Sequence, residues 1–410
     1  MGKKSSNHSK VSKSENISEK ENSKKDAKFN FDLNLLKKTY PILITAILLG
    51  FVMWFAFFVR SGPINLDGLE DNVRASTYSQ IQNIISQQVD TEYPNLNAAY
   101  KQELVQKEYQ KVLDTGIFEI QGQKIVIEDI VKQNSAVLKD SFKAENGQTY
   151  LTEMDSHNFL HYSTNFYRYG HTGDTLIDGK PWVTNKVSPE GYPGTYNPDF
   201  LVWLEAKKYA LNGLDRNNST DEERTTAIYL LTVYLVMLSA IPIYFIIRKF
   251  SNDLFAFFGS LILVSIGTYV SRTVAGFVDT DAFNVLFPGL IVVFLIYAFV
   301  YKKILLKILF TALSGLFISI YLWAWSAGWF IFVFLVLSLL AYLGYIIISH
   351  FIVKEKELTF FNKIKNDLIT LISFSLASFV FTFVFIKENI FIYTYNGLVG
   401  SLSEIASIST

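Results

Sequence analysis

Cysteine is absent from the 410 residues, so neither disulfide nor thiolate chemistry is open to the chain. Net charge is absent too: 37 Lys and Arg balance 37 Asp and Glu, and without a basic excess nothing supports nucleic-acid binding. The balance conceals a segregation, because the N-terminal tail and the loops hold almost all the ions and the long apolar blocks almost none. No early apolar run ends at a small-residue cleavage site. The first such run, Pro41 to Val59, begins late and is followed by Arg60, which predicts a retained membrane helix and not a signal peptide. Neither a solenoid-period repeat nor an inverted repeat of broken helices, a common transporter signature, is evident.

What is present is apolar: half the residues are hydrophobic, among them 35 Phe and 23 Tyr, gathered into blocks. That composition excludes an ordinary soluble domain and predicts an α-helical polytopic membrane protein. A helix needs roughly twenty apolar residues to cross about 30 Å of hydrocarbon. Besides Pro41 to Val59, the stretches Ala227 to Ile247, Leu254 to Val270, Phe283 to Val300, Ile308 to Trp325, Trp329 to Ser349 and Leu368 to Ile386 meet that length approximately, giving seven expected spans.

Lys and Arg mark one set of ends: ten lysines up to Lys38, then Arg248 and Lys249, Lys302, Lys303 and Lys307, and Lys354 to Lys365. The positive-inside rule places these on the cytoplasmic side of a cell membrane, with the N-terminus. The expected organisation is a disordered Lys/Ser-rich tail at 1–38, a first transmembrane helix at 39–60, a large external loop at 61–226, a six-helix membrane portion at 227–386 and the start of another external loop at 387–410. The long loop has its own helical periodicity, with Val73, Ile81, Ile84, Ile85 and Val89 on one face.

Acidic residues fall at three places on the expected outer face. Asp155 lies in Met-Asp-Ser-His-Asn-Phe-Leu-His. Asp279 and Asp281 lie in the segment 271–284, just before a membrane helix, and Glu404 lies in Ser-Leu-Ser-Glu beyond the last span. Carboxylates converging in an aqueous cavity repel unless a hard divalent cation neutralises them, and oxygen ligands favour magnesium or manganese over zinc. The competing explanation for Asp279 and Asp281 is helix capping, and for Asp155 and Glu404 a solvated loop carboxylate. His157 and His161, four residues apart, raise a zinc alternative, but no Glu sits between them in a His-Glu-x-x-His pattern. Arg272 reads either as an interfacial anchor or as a bidentate phosphate clamp.

In this order and topology the motifs resemble the catalytic subunits of oligosaccharyltransferase, the Stt3/AglB/PglB family, in an archaeal style. Ser271-Arg-Thr-Val-Ala-Gly-Phe-Val-Asp-Thr-Asp-Ala-Phe-Asn284 is similar to the family's second acidic motif. Asp155 to His161, followed by Gly170-His-Thr-Gly-Asp174 and Asp178-Gly-Lys-Pro-Trp182, is similar to its first acidic motif and downstream signature, and Ser401 to Glu404 to its Ser/Thr-x-x-Glu motif. The resemblance runs from about Leu35 to the last residue.

It implies a GT-C glycosyltransferase that transfers a glycan, with inversion, from a polyprenyl or dolichyl (pyro)phosphate carrier to Asn in an Asn-x-Ser/Thr acceptor. It also implies that Asp155, Asp279, Asp281 and Glu404 hold Mn2+ or Mg2+, and that Asp155 and Glu404 bond the acceptor amide. Arg272 is the candidate phosphate or carboxylate support. The partners implied are a lipid-linked oligosaccharide, an acceptor polypeptide and the membrane.

The chain departs from the family in showing fewer spans, a longer first loop from Asp67 to Gly147, and no sequon-reading domain with a Trp-Trp-Asp-Tyr-Gly motif. It therefore reads as the N-terminal portion of a longer enzyme, or one half of a split one with a C-terminal partner chain. Overlapping sequons at Asn217 and Asn218 are candidate self-glycosylation sites. The rival functions are another GT-C enzyme, such as a mannosyltransferase, which would not need the Glu404 motif, and a transporter. Transport needs midplane ionisable or broken-helix features, and in these spans Pro242 is the only interior breaker that stands out.

Overall fold

A computed structural model describes residues 33–120, 122–187, 189–353 and 357–408. Helix α1 (Leu33–Arg60) starts ahead of the expected 39, and most of the expected tail lies outside the described residues. Residues Gly62–Asn65 add one helical turn.

The long segment that follows folds into two parts. The first, from α2 (Leu69–Glu92) through α3 (Ala98–Thr115), the hairpin β1 (Ile117–Ile120) and β2 (Gln123–Val126), and α4 (Ile127–Ser141), is the expected insertion. Its core is small: Val73, Ile81, Ile85 and Val89 of α2 meet Val112, Phe118, Ile127 and Val131. The apolar face expected at these α2 positions is therefore the one buried, with Ile84 packed at its edge.

The second part holds α5 (Met154–Tyr169), a three-stranded antiparallel sheet of β3 (Thr175–Ile177), β4 (Lys180–Val183) and β5 (Tyr192–Pro193), α6 (Phe200–Leu211) and α7 (Asp221–Ile228). Asp178 and Gly179 turn the β3–β4 hairpin with φ of 51° and 74°, the two positive values that a tight two-residue connection requires.

The remaining helices are α8 (Leu231–Phe250), α9 (Asp253–Ser265), α10 (Gly267–Ser271), α11 (Phe283–Val300), α12 (Ile304–Ala324), α13 (Trp329–Val353), α14 (Glu357–Ile386) and α15 (Ile390–Ile408). They pack in sequence, α9 on α8, α8 on α11, α11 on α12, and α12 on α14, which also carries α13. Among the described residues six helical stretches are long and apolar enough to cross a membrane: Tyr40–Asn65, Asp221–Phe250, Thr280–Val300, Ile304–Ala324, Ser326–Ile352 and Phe360–Ile386.

The seventh expected span, Leu254 to Val270, is not one helix. It breaks at Ile266, which adopts φ −58° and ψ 121°, leaving α9 with 13 residues. At about 1.5 Å per residue that is roughly 20 Å, short of the hydrocarbon thickness.

The α5–α7 part sits on this bundle through aromatic packing. The Phe200 ring lies 5.4 Å from Phe283, 5.8 Å from Phe287 and 5.1 Å from Trp323, and Trp323 Nε1 donates to the Pro198 carbonyl at 2.7 Å. One apolar core accordingly runs from Val52 through Leu160, Leu201 and Phe283 to Ile390. It fixes the start of α5 against the loop that precedes α11.

Candidate active site

Two backbone–backbone bonds and one bond to a side-chain hydroxyl join the first acidic segment and Tyr229, just after α7, to the second acidic segment. The Thr152 amide donates to the Gly276 carbonyl at 3.1 Å, the Gly276 amide to the Tyr229 carbonyl at 2.9 Å, and the Val278 amide to Ser156 Oγ at 2.9 Å. Gly276 has φ +84°, and a Cβ there would come within 2.8 Å of the Tyr229 ring, so glycine is needed for both conformation and space. The Val-Ala-Gly sequence before Asp279 thus has a local physical purpose: it lets the loop lie flat against Tyr229 and the N-terminus of α5.

The consequence is convergence of carboxylates from distant parts of the chain. Glu153, Asp155 and Asp279 each offer an oxygen, and these atoms lie within 4.8 Å of one another. Glu153 occupies the N-cap position of α5 without a side-chain capping bond, and its Oε2 is buried with no hydrogen-bond partner. Burial pushes the Glu153 carboxyl up, and the neighbouring charges of Asp155 and then Asp279 push it further. Asp279 is also raised, first by burial and then by Asp281 and Asp155, against the opposing effect of its bonds from Thr280. Carboxyls raised by burial and by neighbouring negative charge are what a hard divalent cation would relieve, and three oxygen donors suit such an ion. The residues therefore fit a divalent metal ion.

The other expected residues fall as follows. Asp279 does cap: its Oδ1 accepts from the amide and hydroxyl of Thr280 at the short 3-10 turn Thr280–Ala282, so capping and membership of the acidic group coincide. Asp281 is outside the trio, with Oδ2 at 3.0 Å from Arg272 Nη1. Arg272 thus pairs with a carboxylate, and the bond to Asp281 raises its already high pKa. Glu404 lies on α15, and its side chain falls outside the described residues. His157 is exposed, and His161 Nε2 is 3.2 Å from Asn165 Nδ2 and 3.9 Å from Asp174 Oδ2. Among the described residues neither histidine joins the acidic group.

Glu153 was not singled out in the sequence. Its signal was the Glu-x-Asp spacing at a helix start, which puts two carboxylates at the same positive helix end.

The overlapping sequons sit in a closed turn. Asp215 Oδ1 accepts from the amides of Asn217 and Asn218, each at 2.8 Å. Arg224 Nη1 donates to Ser219 Oγ at 2.7 Å, and Thr220 Oγ1 accepts from the Glu223 amide in a capping box that starts α7.

The family described as "Oligosaccharyl transferase STT3, N-terminal" matches residues 124–408. A dolichyl-phosphooligosaccharide-protein glycotransferase of Methanocaldococcus jannaschii is 34% identical over 170 residues, 40% of this chain and 18% of the relative. One of the same name from Methanococcus voltae is 32% identical over 220 residues, 52% of this chain and 23% of the relative. The matched part thus spans less than a quarter of either curated relative. An apo oligosaccharyltransferase structure from Archaeoglobus fulgidus is similar at a TM-score of 0.44 and 14% identity, over 61% of this chain and 27% of that one. With the family match covering more than half of its length, the chain belongs to the oligosaccharyl transferase STT3 family.

Proposed function

We propose that this chain carries the donor-binding and metal-binding part of a GT-C membrane glycosyltransferase. The reaction transfers a glycan from a polyprenyl or dolichyl (pyro)phosphate to the side-chain nitrogen of Asn in Asn-x-Ser/Thr, with inversion. The observation that carries this reading is the meeting of Glu153, Asp155 and Asp279, from two segments more than a hundred residues apart, beside the start of an apolar helix. A carrier with a lipid tail needs such a boundary, where the tail lies along helices and the charged headgroup stays in water. The distribution of Lys and Arg supports an extracytoplasmic location for this face in a multi-pass protein with a cytoplasmic N-terminus.

Glu153, Asp155 and Asp279 would hold the divalent ion, joined by Glu404 on the family pattern. When bound, such an ion supplies Lewis-acid stabilisation to a departing phosphate. The rest falls to the protein. Asp155, the exposed member of the trio, accepts an N–H of the acceptor amide and weakens its conjugation; the amide nitrogen forms the new bond to the sugar carbon as the bond to phosphate oxygen breaks. The displaced amide proton passes to Asp155 and from there to solvent. Arg272 keeps Asp281 neutralised and separate from the trio, which limits the negative charge that a phosphate must approach. Sequon reading would come from a region or partner chain other than these residues.

The test is transfer to a fluorescent sequon peptide by the product of the full reading frame, given a lipid-linked glycan extract and manganese. A peptide shift that requires metal and vanishes in Asp155→Ala, Asp279→Ala and Glu404→Ala is expected. A shift indifferent to all three substitutions would return these carboxylates to capping and loop duty.

A further inference from the structure

Arg60, the last residue of α1, is among the largest fully buried side chains of the described residues, at 0% exposure. Among the described residues no carboxylate pairs with it. Its partners are neutral oxygens: Nε donates to Thr273 Oγ1 at 2.8 Å, and Nη1 to the Val264 carbonyl at 2.9 Å and the Ala56 carbonyl at 3.4 Å. The guanidinium lies over the Tyr269 ring at 5.0 Å, and Nη2 has no partner. A buried cation held only by neutral acceptors is a costly way to fill space, since an apolar side chain of similar volume would avoid the desolvation. What the planar fork achieves, and an apolar group would not, is to tie three chain segments at once.

Those segments are the end of α1, the end of α9 and the loop that leads to Asp279. The hold on the loop is double, because the Arg60 carbonyl also accepts from the Ala275 amide at 2.9 Å. Thr273 Oγ1, accepting from Arg60, itself donates to the Tyr269 carbonyl, so its rotamer is fixed from both sides. Beyond Ala275 the links to Tyr229, Thr152 and Ser156 take over and deliver Asp279 to Glu153 and Asp155. Arg60 thus clamps, from helix α1, the first half of a loop whose second half is pinned to α5.

We propose that Arg60, acting through Thr273, is a positioning residue for the carboxylate trio and that it sets the affinity of the trio for a divalent cation. The inference rests on the metal-binding part of the proposed function. Groups that orient ligands from behind typically change metal affinity by about 10- to 100-fold when removed.

The experiment measures Mn2+ binding to the detergent-solubilised product of the full reading frame, by the loss of the free-ion electron paramagnetic resonance signal, with no substrate present. Arg60→Lys retains the charge but replaces the planar fork by a point donor, and the dissociation constant is expected to rise by about 10-fold or more. Thr273→Val removes only the hydroxyl link, and a similar rise is expected; Thr273→Ser keeps the hydroxyl and should bind as the wild type does. The Thr273 pair decides the matter by itself if Arg60→Lys does not fold. Wild-type affinity in both Arg60→Lys and Thr273→Val, with Asp155→Ala and Asp279→Ala defective, overturns the positioning role alone. A wild type that binds no Mn2+, or binding untouched by Asp155→Ala and Asp279→Ala, removes the metal-binding reading and this inference with it.

Discussion

Two polar interiors of this protein solve the problem of buried heteroatoms in opposite ways. Along the α12–α14 seam, inside two expected spans, hydroxyls are paired, Thr311 with Ser373 at 2.8 Å and Ser319 with Thr382 at 2.9 Å, while Ser314 on the neighbouring face of α12 donates to the Ile291 carbonyl of α11 at 2.9 Å. Gly315 lets the helices approach until a Cβ there would lie 2.7 Å from the Ser378 amide nitrogen. Between α5, α6 and α7 the Ser163 hydroxyl is likewise paired with Tyr209 at 2.8 Å, but both oxygens of Glu205, Thr164 Oγ1 and Arg224 Nε have no partner. Hydroxyls both donate and accept, so two facing rows satisfy one another and glue helices where lipid supplies no hydrophobic drive. A buried carboxylate can only accept, and where donors are lacking it holds its proton instead. Glu153, within the acidic trio, has a similarly orphaned Oε2, and Arg60, behind the loop that carries Asp279, an orphaned Nη2.

The sharpest way to break this comparison is at the trio. Asp155→Asn and Asp279→Asn should lower glycan transfer by about 10²- to 10³-fold, the typical loss when one charge-stabilising group is removed. Thermal midpoints should stay level or rise, because mutual repulsion is relieved; a fall in parallel with activity would make these residues structural.

Glu205 tests the orphan carboxylate. Burial raises its pKa from 4.5 to about 8. Between those pH values the unfolded chain loses the proton and the folded one keeps it, so Glu205 costs the fold increasing stability as pH rises. The cost is absent below about pH 4.5 and complete above about pH 8, with an upper bound of about 5 kcal/mol from the shift. Glu205→Gln should therefore match the wild type at pH 4.5 and exceed it at pH 8 to 9 in thermal unfolding. Equal pH profiles would show the carboxyl to be solvated.

On the seam, Gly315→Val should cost about 1–3 kcal/mol through overpacking, read as a lower detergent-denaturation midpoint, with Mn2+ binding unchanged. The smallest effect is expected from Thr311→Val, about 0.6 kcal/mol for one interhelical bond. A loss several times larger would mean that the hydroxyls act as a cooperative row.

Much of the architecture was legible because burial in lipid imposes composition. Five of the six helices able to span correspond to apolar blocks that carry almost no ions in their interiors, and α1 corresponds to the sixth. Leu254 to Val270 misled for the same reason: its apolarity is real, but the break at Ile266 is a backbone decision that leaves no mark in hydropathy. The face of α2 was readable through its Val73, Ile81, Ile85 and Val89 spacing, whereas nothing local said that the hairpin and α4 would be the elements that cover it. At the site, Asp155 and Asp279 stood out by motif. Glu153 did not, because an acidic residue before a helix is ordinary, and Arg60 passed for a flanking charge at the end of a span.

The sequence by itself determined the six long apolar helices, the apolar face of α2, the likeness of the acidic segments to a known family and the span ends at which Lys and Arg gather, because each of these depends on residues close together in the chain. Only the tertiary structure decided which carboxylates meet, that Asp281 turns to Arg272, and that a guanidinium is buried behind the loop. Those outcomes depend on hydrogen bonds between segments as far apart as Arg60 and Thr273, or Ser156 and Val278, whose side chains say nothing of one another until the chain has folded.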